Sequence, residues 1–462
     1  MNRGIPLFLA VLMFACASGE WRATHLKSAS IVGSDVFEID SFNFAKGLTV
    51  KKFRLSNGLK VIVLEDHSAP IFAYHTWFNV GSRNEKEGTT GIAHLFEHLM
   101  FKETKNLKEG EFDRILEEQG GSINAGTYVD WTFYHETVPA GAFAQTVSLE
   151  ADRMQNMILS DMQVNSERDV VANERRFRVD NSPSGTMYEE LFKKAFVKHP
   201  YHWPVIGWMK DIQTIPTKDC IEFYRTYYAP NNATVVVVGD VDTENVLKRI
   251  NQAYGRIPAS KIPAELIPSE PPQEKERRGT LKQEVPSEKL LVGYRIPNAL
   301  SPDYPALEVA HAILFDGKSS RLYRKLITDT QIASEAGGWV NQTKDPGLYI
   351  IDITMKSKIK ADKAEKLVYE ELARLSKEKV PARELEKAKN RLETSFWGNF
   401  KTMDGKAQAM GFYETTAGDY RKLFDEVKSY RAVTVEDVKR TAETYFAPRN
   451  RTVITGIPLS KP

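Results

Sequence analysis

His94-Leu95-Phe96-Glu97-His98 sets two imidazoles four residues apart with a carboxylate between them. On an α-helix, positions i and i+4 share a face. Both rings can therefore reach one ion, and zinc takes nitrogen and carboxylate ligands in a tetrahedral site. Glu97, one residue from His98 and three from His94, would lie beside that ion without binding it. There it could accept a proton from a water that the ion acidifies. The bland alternative is a helix that carries two surface histidines. Leu95, Phe96, Leu99 and Met100 argue against it, because they predict a largely buried helix. Two buried imidazoles beside a buried carboxylate are costly without a shared partner such as a metal.

A catalytic zinc needs a third protein ligand and an open position. The segment Glu167-Arg168-Asp169-Val170-Val171-Ala172-Asn173-Glu174 offers two carboxylates seven residues apart, on a helical face shared with Val170 and Val171. Glu174 is assigned to the metal, and Glu167, two turns earlier, to orienting a ligating histidine from behind. Salt bridges with Arg168, Arg175 or Arg176 are the competing explanation, and spacing alone leaves both open. His75 and His135 in predicted strands, and His199 and His202 beside Pro200, read as packed or surface residues. Trp131, Phe133 and Tyr134 read as builders of a sheet.

The elements that must hold these residues are legible as alternation and periodicity. Strands are predicted at 53–55 and 59–64 around the turn Ser56-Asn57-Gly58, at 71–80, and at 235–238. Helices are predicted at 91–101, 111–118, 142–158, 163–178, 185–195 and 217–227. Five prolines between Pro258 and Pro272 mark a linker. Tyr228-Ala229-Pro230-Asn231-Asn232-Ala233-Thr234-Val235 recurs as Phe446-Ala447-Pro448-Arg449-Asn450-Arg451-Thr452-Val453, at an offset of 218. Ile92-Ala93-His94 recurs as Val309-Ala310-His311 at an offset of 217. Two matches at nearly one offset indicate a duplicated domain of about 200 residues, since solenoid repeats are far shorter. The fold class is α+β: two homologous domains, each an antiparallel sheet with helices packed on one face.

Length and composition set the limits. With 462 residues, 42% hydrophobic and 27% charged, the chain is a globular protein of two or three domains. A formal net charge of +2 gives no electrostatic reason to expect nucleic acid or an anionic membrane as partner. Arg3, the apolar run Ile5 to Ala15 and the small-x-small pattern Ala15-Cys16-Ala17 predict a signal peptide over 1–17, and so export into a periplasm. A lipid anchor through Cys16 is the second reading of the same segment. Cleavage after Ala17 would leave Cys220 without a disulfide partner in the chain. Residues 18–48 are predicted to be a polar lead-in, 49–257 the metal-bearing domain, 258–278 the linker, and 279–462 a degenerate copy without the metal motif. No later stretch reaches the roughly 20 apolar residues of a transmembrane helix.

These motifs resemble the pitrilysin or insulinase family of zinc metallopeptidases, the M16-like inverzincins, to which the mitochondrial processing peptidase β subunit belongs. The likeness rests on Gly81-Ser82-Arg83-Asn84-Glu85, Gly91-Ile92-Ala93 followed by the His94–His98 motif, Asn124-Ala125 with Thr127, and Glu174 standing 76 residues after His98. It implies one Zn2+ per chain on His94, His98 and Glu174, with Glu97 as the base of peptide hydrolysis. It also implies that Asn124, Ala125 and Gly126 lie on an edge strand to which an extended peptide substrate adds. The resemblance breaks at one place. The family pattern implies an arginine and a tyrosine seven residues apart in the second half, on what reads as a helix over 322–334. Ile327 and Ser334 stand there instead. The expected partner is accordingly a homologous subunit without zinc ligands that supplies the missing pair, in a heterodimer, or else a second copy in a homodimer. A non-catalytic, core-like structural subunit of the same fold is the rival reading, and a purely structural zinc site is a weaker one.

Overall fold

The computed structural model describes residues 27–28, 35–45 and 47–459, so the predicted signal peptide and Cys16 lie outside the described residues. Eight strands form the first sheet: β1 (Lys27–Ser28), β2 (Val36–Ala45), β3 (Leu48–Leu55), β4 (Lys60–Glu65), β5 (Ile71–Phe78), β6 (Ser122–Thr127), β7 (Thr132–Pro139) and β8 (Ala233–Gly239). Their spatial order is β1-β2-β3-β4-β8-β5-β7-β6. The second sheet holds β9 (Arg277–Gln283), β10 (Lys289–Arg295), β11 (Ala333–Val340), β12 (Leu348–Met355) and β13 (Arg451–Pro458), in the order β11-β12-β10-β13-β9. The α+β architecture of two homologous halves is thus present. Each sheet is antiparallel apart from one parallel pair, β4 with β8 and β9 with β13. In both halves that pair arises where the chain, after its helices, returns to the interior of the sheet.

The repeat has a structural meaning. In each copy a helix ends, a Pro-led turn follows, and the strand β8 or β13 begins. The Asn232 side-chain amide donates to the Tyr227 carbonyl at 2.8 Å, and Asn450 does the same to Tyr445 at 2.8 Å. One asparagine per copy therefore satisfies a helix-end carbonyl that would otherwise lack a partner.

Strand β8 is buried along its whole length, which requires cover on both faces. Val235 and Val237 join the core shared with the first half's own helices, among them Ile92–Leu99, Phe143–Asn156, Thr217–Tyr227 and Thr243–Tyr254. Val236 and Val238 face the other way, with Ala73, Trp77 and Phe133, onto Met403, Ala407 and Met410 of helix Met403–Ala417 from the second half. Gly411 sits against Trp77 there, and a Cβ would lie 2.1 Å from the indole nitrogen. The arrangement is reciprocal. Helix Pro183–Ala195 of the first half lays Met187, Leu191 and Ala195 against Leu291, Ile350 and Ile454 of the second sheet. These two helices start at Pro183 and Met403, an offset of 220 that agrees with the sequence repeat. The halves exchange equivalent helices. Lys52 and Lys60 pair with the buried Glu414 at 2.7 and 2.9 Å, and Lys406 pairs with Asp66 at 2.5 Å, across the same junction.

Three expectations need correction. The polar lead-in over 18–48 is in part a strand: β2 pairs with β3, and Phe42 stacks on Phe424 at 4.8 Å. Its alternation is masked by interleaved Glu38, Asp40, Ser41 and Asn43. The linker ends at 276, since Arg277 opens β9. The helix expected over 322–334 stops at Asp329, a π-type turn forming its last part, and Gln331 takes a φ of 53° before β11 begins at Ala333. Among the described residues no helix is long and apolar enough to cross a membrane.

Candidate metal centre

The motif helix Ile92–Leu99 starts where the chain turns through Gly91 at φ 90°, and a Cβ at Gly91 would meet the Ile206 carbonyl at 2.4 Å. Only glycine fits that corner. The first free N–H groups of the helix are held by one buried carboxylate. Glu85 accepts from Gly91 N at 2.8 Å and from Ala93 N at 2.9 Å. Burial pushes the Glu85 carboxyl well up, and these two bonds oppose the rise. Tyr134 of β7 donates to the Phe96 carbonyl at 3.0 Å, fastening the helix to the sheet.

His94 is buried and His98 half-buried on the face of this helix that meets helix Asp161–Arg175. Ser160 caps the latter through Gln163 in a reciprocal capping box. Glu174 Oε2 lies 3.2 Å from His98 Nε2 and 3.7 Å from His94 Nε2. The potential ligand atoms of all three residues lie within 4.8 Å of one another. Glu167 Oε2 stands 3.4 Å from His98 Nδ1, and Lys102 holds its other oxygen at 2.6 Å. His94, His98, Glu174 and Glu167 are thus together, and Glu97 on the same helix feels the charges of His98 and Glu174. The shared apolar face is narrower than expected: Val164 and Val171 are buried beside Glu167, whereas Val170 is exposed.

The donor set fits a borderline divalent cation. Glu174 Oε2 is buried between two imidazole nitrogens without an aligned hydrogen-bond donor. Such an orphaned anionic atom is expensive unless a cation completes it. The protonation pattern reflects the same crowding. Burial pulls His94 down to about 4 against the opposing Glu174 charge. Burial also disfavours charge on His98, but Glu167 and Glu174 outweigh it and push the ring up to about 9. Burial raises Glu97, partly offset by Thr127 at the end of β6 and by His98. Glu174 and Glu167 would likewise be raised by burial, yet His98, with Arg178 and Lys102 respectively among their neighbours, brings both below the usual range.

Among the described residues strand β6 ends the first sheet and pairs only with β7, leaving its other edge open. Ile123 and Ala125 face the core under the motif helix, while Asn124 is exposed and accepts from Ala125 N at 2.9 Å. Gly126 lies against the Phe133 ring, where a Cβ would stand 2.9 Å from a ring carbon. Sequence reasoning did not single out Glu85, Lys102 or Thr127 for the roles they take. Glu85 caps the motif helix through a chain reversal that spacing alone does not reveal. In the second half the counterpart His311 meets, among the described residues, the Tyr349 hydroxyl at 3.4 Å and the rings of Phe315 and Tyr349.

Comparison with known proteins identifies the family. Residues 60–207 match the family described as Insulinase (Peptidase family M16), and residues 214–392 match Peptidase M16 inactive domain. The chain is 34% identical over 405 residues to "Zinc protease PqqE" of Helicobacter pylori, covering 87% of this chain and 91% of that protein. It is 25% identical over 404 residues to the mitochondrial-processing peptidase subunit beta of Lentinula edodes, covering 85% of this chain and 86% of that one. A crystal structure of a protease from Helicobacter pylori superposes with a TM-score of 0.86 at 34% identity, over 88% of this chain and 99% of that chain. A structure titled as a peptidase M16 inactive domain, from Pseudomonas fluorescens, shares the fold with a TM-score of 0.82 at 19% identity, over 89% of this chain and 99% of that chain. With both family descriptions matched along most of its length, the chain belongs to the insulinase family, peptidase family M16.

Proposed function

We propose that this chain is a zinc-dependent metalloendopeptidase that hydrolyses extended or unfolded peptides. The observation that carries the reading is the convergence of His94, His98 and Glu174 beside Glu97 and an open sheet edge. His94, His98 and Glu174 would hold one Zn2+, which when bound supplies Lewis-acid polarisation of the scissile carbonyl and of the attacking water. Glu167 fixes the His98 ring from behind and is itself fixed by Lys102. Glu97, whose proton affinity burial raises, accepts the proton of the attacking water and returns it to the departing amine. A peptide in extended form pairs its backbone with β6 at Asn124, Ala125 and Gly126, which selects unfolded segments because a folded chain has no free strand to offer.

The absence of the arginine and tyrosine expected at 327 and 334 supports a heterodimer in which a related subunit without zinc ligands supplies them. Ile327 packs on the second core and the Ser334 hydroxyl donates to the Thr354 carbonyl at 3.2 Å, so neither replaces the pair. The same absence favours the rival reading, a non-catalytic structural subunit. The proposal includes export into a periplasm, on the basis of the segment 1–17. The test is zinc content together with cleavage of a quenched, unstructured peptide, by the chain alone and with such a partner. Activity with bound zinc that Glu97→Gln abolishes without releasing the metal supports the peptidase. One zinc per chain with no cleavage in either condition overturns it in favour of the structural subunit.

A further inference from the structure

A second group of metal-ligating atoms lies on the opposite face of the same sheet. His75 of β5 and His135 of β7 are directly paired across the antiparallel ladder, with ring centroids 5.2 Å apart. Helix Met403–Ala417, the one contributed by the other half, brings Asp404 in its first turn over both rings. Asp404 Oδ1 lies 2.9 Å from His75 Nε2 and 2.9 Å from His135 Nδ1. The three ligand atoms fall within 4.8 Å of one another. Among the described residues neither ring has another hydrogen-bond partner, and the buried Nδ1 of His75 has none at all.

We infer that His75, His135 and Asp404 form a second divalent-metal site, separate from His94, His98 and Glu174, that pins the substrate-bearing sheet to the second half. Two imidazole nitrogens and one carboxylate suit Zn2+, Co2+, Ni2+ or Cu2+. They do not suit Ca2+ or Mg2+, which take six or more oxygens. The His75 side chain is fully buried, while those of His135 and Asp404 are 23% and 37% exposed, so the group closes on the protein side and opens on the other. Solvent can fill the remaining coordination position, and an ion has a way in. Metal–ligand bonds of about 2.0–2.2 Å set tetrahedral neighbours roughly 3.3–3.6 Å apart. Asp404 lies 2.9 Å from each ring nitrogen and would withdraw by about half an ångström to make room for the ion. His135 stands opposite Asn124 in the ladder, so the ion would sit one strand behind the open edge of β6. The competing account is a metal-free clamp in which Asp404 accepts from both rings.

The experiment uses the full chain carrying His98→Gln, which disables the first set, stripped of metal and titrated with Zn2+ by calorimetry and equilibrium dialysis. One Zn2+ per chain is expected, with a rise in the thermal midpoint. Adding Asp404→Asn or His135→Gln to that background is expected to weaken binding at least about tenfold while leaving the circular dichroism unchanged. If His98→Gln does not fold, the unsubstituted chain is used instead, its two equivalents of Zn2+ expected to fall to one in His135→Gln. Stripped His98→Gln that takes up no Zn2+ at roughly 100 µM overturns the site and leaves the clamp. So does binding that survives the loss of both Asp404 and His135.

Discussion

Glu97 and Glu174 are the same residue type placed where their proton affinities move apart. Burial dominates at Glu97 and raises it, whereas at Glu174 the two histidines and Arg178 overcome burial and hold the carboxylate charged. The first is suited to accept a proton and the second to remain an anion. Glu97→Gln is therefore predicted to lower turnover by about 10²–10⁴-fold with zinc retained, and Glu174→Gln to lose the metal, both followed by metal analysis of the purified variants. Glu167→Gln should weaken zinc affinity roughly 10–100-fold, with activity recovering as zinc is raised. Competition against a chelator measures it, and unchanged affinity would show that Lys102 and Glu167 form a pair indifferent to His98. The motif itself was legible because helical periodicity fixes which side chains share a face. Glu174 was not legible from spacing alone, since nothing local ties it to His98. Glu85 and Thr127 act only through contacts made in three dimensions.

At the scale of single elements, the strand and helix that support the centre share a buried charge. Arg153, on helix Phe143–Asn156, lies 4.4 Å above the Tyr134 ring and 4.5 Å from Phe112, pairs with Glu136 at 3.0 Å, and contacts Glu150. Removing it leaves two carboxylates uncompensated. Arg153→Ala is predicted to destabilise the protein by about 3–5 kcal/mol, read from denaturant midpoints. A loss under 1 kcal/mol would mean that Glu136, whose proton affinity burial raises, takes up a proton in place of the lost partner. The junction with the exchanged helix is predicted to be acid-sensitive. Burial raises Asp66, but hydrogen bonds from Lys406 and Ser68 outweigh it and its value in the folded chain is lowered from 3.8. A depressed carboxyl contributes stability above its unfolded value, and that contribution disappears as pH falls through the folded one. Unfolding midpoints followed below pH 4 should fall more steeply in the native chain than in Asp66→Asn, and parallel curves would refute the assignment. The helix expected over 163–178 lies at Asp161–Arg175, and helix Thr217–Tyr227 was readable to the residue. The end of the helix after Leu322 was not, because Thr330 and Gln331 continue a helical pattern that the left-handed backbone at Gln331 breaks.

At the scale of the whole molecule, the duplication could be seen in the sequence as a constant offset, but the exchange of helices could not. Each sheet's distant cover is encoded in the other half, and helix Met403–Ala417 buries Lys406 and Glu414 as well as Met403 and Met410, which blurs its apolar stripe. Neither half holds a complete set of layers, so first-half and second-half fragments expressed separately are predicted to aggregate and to recover only when produced together. The connection between them has a further consequence in molecularity. Leu266, 90% exposed, lies within the linker that ties the halves. While that link is intact, docking of the two halves is a unimolecular event governed by tether length, and dilution does not oppose it. Opening the chain at Leu266 with an inserted protease site turns the same contacts into a bimolecular equilibrium. The melting temperature of the nicked protein should then fall on dilution while that of the intact chain does not. The linker thereby makes the assembly of the first sheet with its cover independent of how much protein a compartment contains.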